Sequence, residues 1–174
     1  MAVTKWFTPE DIKGNNAEYL AKYDAKSVDG AKDTVLFYLA FSEALKLSEA
    51  SDDEDKQELA EIIADDVEEY ESLAYFIEIR GAPDQKCCMI MKGGDANKIG
   101  LWEGDYDAAM AEGAKQSVYM EMTPACGMKI AYGNPNTDAE FFKGDLTVKG
   151  PLKLATKPRS WIEAYFEFND REID

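Results

Sequence analysis

The side chains that could do chemistry in this chain are few. Cys87, Cys88 and Cys126 are its three thiols, and there is no histidine in 174 residues. Without imidazole, the familiar nucleophile–imidazole pairs are absent. A zinc site is not expected either, because there is no C-x-x-C pair to go with the missing histidine. Successive strand residues point to opposite faces, so Cys87 and Cys88 make poor disulfide partners. An odd thiol count with no evident secretion signal predicts reduced cysteines in a cytoplasmic protein. They read as small buried hydrophobes. Lys92-Gly93-Gly94-Asp95 lacks the G-K-[ST] ending of a phosphate loop. Aspartate–lysine chemistry is open to almost any sequence, and nothing here points to it. The expectation is a protein that is not an enzyme, with no catalytic residue, metal or cofactor.

Charge narrows the partners. The net charge of −16 speaks against nucleic acid and anionic membrane surfaces as main partners. Twelve acids lie between Glu49 and Glu71 against Lys56 alone. They occupy one face of a helix whose other face carries Leu59, Ile62, Ile63, Val67 and Tyr70. A solvated face is the simplest reading, and an electrostatic docking face the alternative. The 45% apolar share supports a real core. The apolar stretches near Val35 and Ile130 are broken well short of a membrane span, so no transmembrane segment is expected. The chain opens without the pattern of a secretion signal, and Arg171-Glu172-Ile173-Asp174 is not a peroxisomal S-K-L address.

The elements that must position these residues follow from period and punctuation. Thr8-Pro9 predicts a cap and first helical position, and the helix should end before Val28-Asp29-Gly30. Asp33 or Thr34 should cap a helix through Leu47. That helix is apolar nearly all round, as expected for one that is buried or in an interface. Ser51-x-x-Glu54 reads as the capping box of the acidic helix. After Glu71 the period becomes two: Leu73, Tyr75, Ile77 and Ile79 alternate with Ala74, Phe76 and Glu78. Turns at Gly81–Asp84 and Gly93-Gly94-Asp95 separate strands at Cys87–Met91 and Lys98–Trp102, an antiparallel meander. Gly104 to Gly113 reads as a loop or short helical turn, and Ser117–Met122 as a fourth strand. Thr123-Pro124 starts a helix that runs to Gly133-Asn134-Pro135. Asp138–Lys143 is a short helix and Asp145–Lys149 a fifth strand. Pro158 should stop or kink a helix begun at Pro151.

The most distinctive stretch is Phe141 to Leu154, F-F-K-G-D-L-T-V-K-G-P-L-K-L. With the acidic helix, the meander, V-Y-M-E-M before Thr123-Pro124 and the turn Asn134-Pro135-Asn136, it resembles the sterol-carrier-protein-type lipid-binding family from about Gln57 to Pro158. The resemblance implies an α+β domain: a five-stranded, mostly antiparallel sheet with helices on one face, enclosing an apolar tunnel. Residues 51–174 would be that domain and residues 1–50 an amino-terminal helical extension. It implies ligands such as sterols, fatty acids, fatty acyl-CoA or phospholipids. The positions that match or adjoin the family's apolar wall are Met120, Met122, Met128, Phe141, Phe142, Leu146, Val148, Leu152 and Leu154, with the segment from Trp161. Methionine and aromatic side chains give a deformable wall for an imprecise apolar guest, although most such residues are ordinary core in any protein.

Trp161, Ile162, Tyr165 and Phe166 share one helical face. That face either closes one end of the cavity or packs on the sheet or on the Thr34–Leu47 helix. The Thr34–Leu47 helix could lid the tunnel, fill it, or form a dimer face. It and the acidic helix are the candidate surfaces for a protein partner. The leading expectation is a non-catalytic carrier of a hydrophobic small molecule. The alternatives are an accessory subunit that delivers substrate to a lipid- or hydrocarbon-processing enzyme, and a small enzyme acting on a tunnel-bound substrate.

Overall fold

Strand β1 (Val3–Trp6) opens the computed structural model, which describes residues 2–92, 95–112, 116–134 and 136–173. Thr8 caps α1 (Pro9–Ile12), accepting from the Asp11 amide while the Asp11 carboxylate accepts from the Thr8 amide. The helix expected from Thr8 onward is in fact two, because Gly14 adopts a left-handed conformation and α2 (Asn15–Asp24) starts afresh. Next come α3 (Thr34–Glu49) and α4 (Glu54–Tyr70). The α4 cap is Asp53, whose carboxylate accepts from the Asp55 amide; Ser51 instead accepts from the Asp53 amide, so the expected Ser51–Glu54 box is displaced.

The sheet strands follow the period-two pattern. They are β2 (Ser72–Ile79), β3 (Ala82–Lys92) and β4 (Asp95–Trp102), then α5 (Tyr106–Glu112) and β5 (Gln116–Met122). The turn expected at Gly93-Gly94 lies outside the described residues, as do Gly113, Pro135 and Asp174. Thr123 caps α6 (Pro124–Ala131) by accepting from the Cys126 amide. The chain ends with α7 (Asp138–Lys143), β6 (Leu146–Lys149), α8 (Leu152–Ala155) and α9 (Lys157–Phe168). Gly144, at φ +82°, ends α7 in the left-handed region, and Pro158 lies in the first turn of α9, as its missing N–H allows.

The architecture is α+β, with a six-stranded mixed sheet in the order β1-β4-β3-β2-β5-β6. This corrects the five-stranded expectation. The sixth strand comes from the amino-terminal extension, where Val3, Lys5 and Trp6 pair antiparallel with Trp102, Leu101 and Gly100. A side chain at Gly100 would sit 2.8 Å from the Lys5 carbonyl and 2.9 Å from the Trp6 ring, so glycine lets β1 dock. The meander β2-β3-β4 and the β5–β6 pair are antiparallel. By contrast β2 and β5 run parallel, in unbroken register from Leu73–Gln116 to Ile79–Met122.

The helices do not all lie on one face, which corrects that expectation too. Leu73, Tyr75, Ile77 and Ile79 point into the main core with the larger helices. Ala74 and Phe76 point the other way, into a second cluster with Trp102, Tyr119 and Ala109 of α5. Cys87 and Cys88 divide between the two clusters, as strand geometry requires. Cys87, Cys88 and Cys126 are all buried, and desolvation pushes Cys126 up to about 11.

Helix α3 is apolar nearly all round because α2, α4, α9 and the sheet surround it, burying Phe37, Leu39, Phe41 and Leu45. On α4, Leu59, Ile63 and Val67 face the core while most of its acids face outward. Asp66 is the exception: its Oδ1 is 3.0 Å from Lys157 Nζ, and its Oδ2 accepts from Trp161 Nε1 at 2.7 Å. No helix of the described residues is long and apolar enough to cross a membrane.

Three α4 substitutions should separate these environments in thermal or denaturant unfolding. Ile63→Ala, at a 1% exposed site, should cost about 2–5 kcal/mol. Asp66→Ala should cost about 1–3 kcal/mol, because it orphans the Trp161 indole N–H. Glu61→Ala, on the solvent face, should stay within about 0.5 kcal/mol. A neutral Ile63→Ala would mean that this face of α4 is wrongly assigned.

Candidate functional site

The cavity begins with the register of β5 and β6. Met120 pairs directly with Val148, and Met122 with Leu146. Alternation along each strand puts all four side chains on the same face of the sheet. They form an apolar platform near the sheet's β6 edge, under a cavity of about 360 Å³. That volume lies within the usual range for small-molecule sites, about 300–1,000 Å³.

The helices form the walls. Ile130 comes from α6, Phe141 and Phe142 from α7, Leu152 and Ala155 from α8, and Pro158 and Ile162 from α9. Among the described residues, Tyr38 of α3 is the only lining residue from the amino-terminal fifty. It also borders two voids of about 20 and 10 Å³, no larger than a water or so, the smaller of which it shares with Phe41, Tyr75 and Trp161. Tyr38 therefore marks the core side of the cavity. Its hydroxyl makes no hydrogen bond among the described residues, and burial pushes its phenol above the ordinary value, keeping it neutral.

The opposite side is open and greasy. Phe142 is 85% exposed and Leu152 61%, and the Phe141 and Phe142 rings pack edge to face at 5.7 Å. Side chains this large left in water beside a cavity form the kind of apolar patch that marks a binding or entry surface. The polar lining residues are Thr137, Asp138, Thr156 and Arg159. Arg159 Nη2 donates to Asp138 Oδ1 at 2.9 Å, while Arg159 Nε is buried with no partner among the described residues.

A chain of contacts fixes the α8–α9 wall. The Tyr75 hydroxyl donates to the Leu154 carbonyl at 2.7 Å. The Tyr75 and Trp161 rings pack edge to face at 5.4 Å. Trp161 then donates to Asp66, whose carboxylate also holds Lys157 above its ordinary pKa through their hydrogen bond.

Of the residues expected to form the apolar wall, Met120, Met122, Phe141, Phe142, Leu146, Val148, Leu152 and Ile162 line the cavity. Five stand outside its lining. Met128 is exposed, at the contact of α6 with Gly30. Leu154 is buried, with its carbonyl engaged by Tyr75. Trp161 packs between Tyr75 and Asp66. Tyr165 sits among Tyr19, Phe37 and Phe41 and donates to Asn16 at 2.7 Å, and Phe166 packs on Tyr23. Helix α9 is enclosed by α3 and α4, so its large aromatics serve that core and only Ile162 of this group reaches the cavity.

Sequence reasoning missed Tyr38, Ile130, Thr137, Asp138, Ala155, Thr156, Pro158 and Arg159 as lining residues. Ile130 was the most findable, being an apolar position on a helix already expected to flank the wall. The Asp138–Arg159 pair joins residues far apart in the chain, and neither carries a local motif.

No protein-family model matches the sequence, and no curated protein matches it. Among solved structures, the fold is similar to sterol carrier protein 2 from Yarrowia lipolytica in its apo form. The identity is 12% and the TM-score 0.46, over 79% of this chain and 94% of that one. It is also similar to the sterol carrier protein domain 2 of Helicoverpa armigera, with 16% identity and a TM-score of 0.38, over 76% of this chain and 90% of that one. Likenesses this distant carry no inference about ligand or activity.

Two tyrosine-to-phenylalanine substitutions should differ in unfolding free energy. Tyr165→Phe removes the donor to Asn16 and should cost about 0.5–1.5 kcal/mol. Tyr38→Phe removes a hydroxyl with no hydrogen-bond partner among the described residues and should cost less or stabilise slightly. Equal losses would show that the Tyr38 hydroxyl is engaged after all.

Proposed function

We propose that this protein binds and carries an elongated hydrophobic small molecule in the cavity between the β5–β6 platform and helices α6–α9, without changing it chemically. The observation that carries this reading is the paired apolar platform of Met120, Val148, Met122 and Leu146 under a 360 Å³ space with exposed apolar residues at its mouth. Methionine is unbranched and polarisable, so two of them in a wall suit a guest whose shape varies. Exposed Phe142 and Leu152 give an apolar molecule a route between solvent and interior that is not lined by charge alone.

The family resemblance in the sequence points the same way, towards a sterol, fatty acid, fatty acyl-CoA or phospholipid. Residues 51–174 supply every lining residue except Tyr38. In this reading they are the ligand-binding unit, and the amino-terminal extension closes the cavity on its core side.

Titration with saturated chains of increasing length tests the proposal. Each added methylene buried contributes about 0.8 kcal/mol, or about a fourfold gain in affinity, until the cavity is full. Ala155→Trp places a ring in the cavity and should shorten the longest chain that still gains affinity, while thermal unfolding confirms that the variant folds. Phe142→Ser, at an exposed site, should leave stability within about 0.5 kcal/mol and slow uptake. Flat, millimolar binding across the series would overturn the carrier reading.

A further inference from the structure

We propose that Arg159 is the head-group residue of this cavity: it takes the carboxylate of a single-chain carboxylic acid at the rim, while the chain lies over the β5–β6 platform. The inference rests on the carrier reading and names the class of ligand that reading leaves open.

The guanidinium is under-used. It carries five N–H donors, yet among the described residues its side chain makes one hydrogen bond, from Nη2 to Asp138 Oδ1 at 2.9 Å. Its Nε is closed off with no partner among the described residues, so the donors open to a guest are those of the two terminal nitrogens, on a side chain that is 36% exposed. The planar fork matches a carboxylate, which can accept two parallel N–H bonds, better than it matches an ester or an alcohol.

The surroundings favour an anion at this one place. The protein carries 35 acidic residues, yet the first turn of α9, where Arg159 sits, holds none. Thr156 makes no side-chain cap there, so the positive end of the helix adds to the guanidinium charge. The existing partner is weakly held. The Asp138 side chain is 69% exposed and that of Arg159 36%, and an ion pair so open to water contributes little. A ligand carboxylate brought to the inner side of Arg159 by its buried chain meets a lower dielectric than Asp138 does, and competes on better terms. Asp138 then holds the guanidinium in orientation from the solvent side.

The test compares hexadecanoic acid, its methyl ester and hexadecyl phosphate on the full chain at neutral pH. The wild type should bind the acid at least tenfold more tightly than the ester. Arg159→Gln should bring acid and ester to the same affinity while leaving the ester unchanged. Arg159→Lys should keep part of the preference, because it keeps the charge and loses the fork. Asp138→Asn should keep or strengthen it. Because the ion pair is exposed, these variants should fold normally by thermal unfolding; if Arg159→Gln does not, the Arg159→Lys comparison decides. Equal binding of acid and ester by the wild type overturns the role of Arg159 and leaves the carrier reading standing. A phosphate that binds more tightly than the acid, with the same loss in Arg159→Gln, overturns the carboxylate assignment in favour of a phosphate head. No binding of any of the three overturns both readings.

Discussion

The placement of α8 and α9 over the sheet depends on Asp66. It is the one carboxylate of the acidic helix turned inward, and it receives the Trp161 indole and the Lys157 ammonium together. Trp161 rests on Tyr75 of a central strand, and the same tyrosine anchors the Leu154 carbonyl. Helix α4, strand β2, the end of α8 and the start of α9 thus meet in one network. The network is partly shielded from water, and the members of such a network polarise one another. Its consequence for the cavity is direct, because Ala155, Thr156, Pro158, Arg159 and Ile162 lie between or beside the pinned points.

With that wall fixed, the space over β5 and β6 is left unfilled for simple reasons. Helix α7 buries none of its residues and α8 buries only Leu154, whose carbonyl is directed to Tyr75. The bulky aromatics that might have filled the gap are used one helix turn further on, where Tyr165 and Phe166 pack with Tyr19, Tyr23, Phe37 and Phe41. One side of the sheet's main face is therefore a close-packed core under α3 and α9. The other is a platform with room above it. The polar groups of the lining are Tyr38, which also borders the small core voids, and the Arg159–Asp138 pair with Thr137 and Thr156.

Much of this was legible in the sequence, and the divisions have physical causes. Alternation revealed β2 and put Met120 with Met122 and Leu146 with Val148, since a period of two survives any choice of partner strand. Thr8 and Thr123 marked helix starts because a hydroxyl before proline has a specific task there. Strand β1 was missed: most of Val3–Trp6 is exposed and it is held by pairing to β4, with room made by Gly100. The parallel β2–β5 pairing and the packing of α5 on the far face are long-range facts with no local signature. Core and cavity residues are chemically alike, so Tyr165 and Phe166 could not be told from Ile162 before α3 and α4 were seen to enclose α9. The Arg159–Asp138 contact was invisible for the same reason that any ion pair across a fold is.

The central claim is that an apolar molecule occupies the space above the β5–β6 platform. Methyl-labelled methionine NMR tests it most directly, because the methionines are spread over different environments. Met120 and Met122 line the cavity, Met91 is buried away from it, and Met110 packs on the far face of the sheet with α5. Addition of a soluble medium-chain carboxylic acid should shift the Met120 and Met122 methyl signals saturably and leave those of Met91 and Met110 in place. Saturable binding that moves Met110 while Met120 and Met122 stay unchanged would contradict the account.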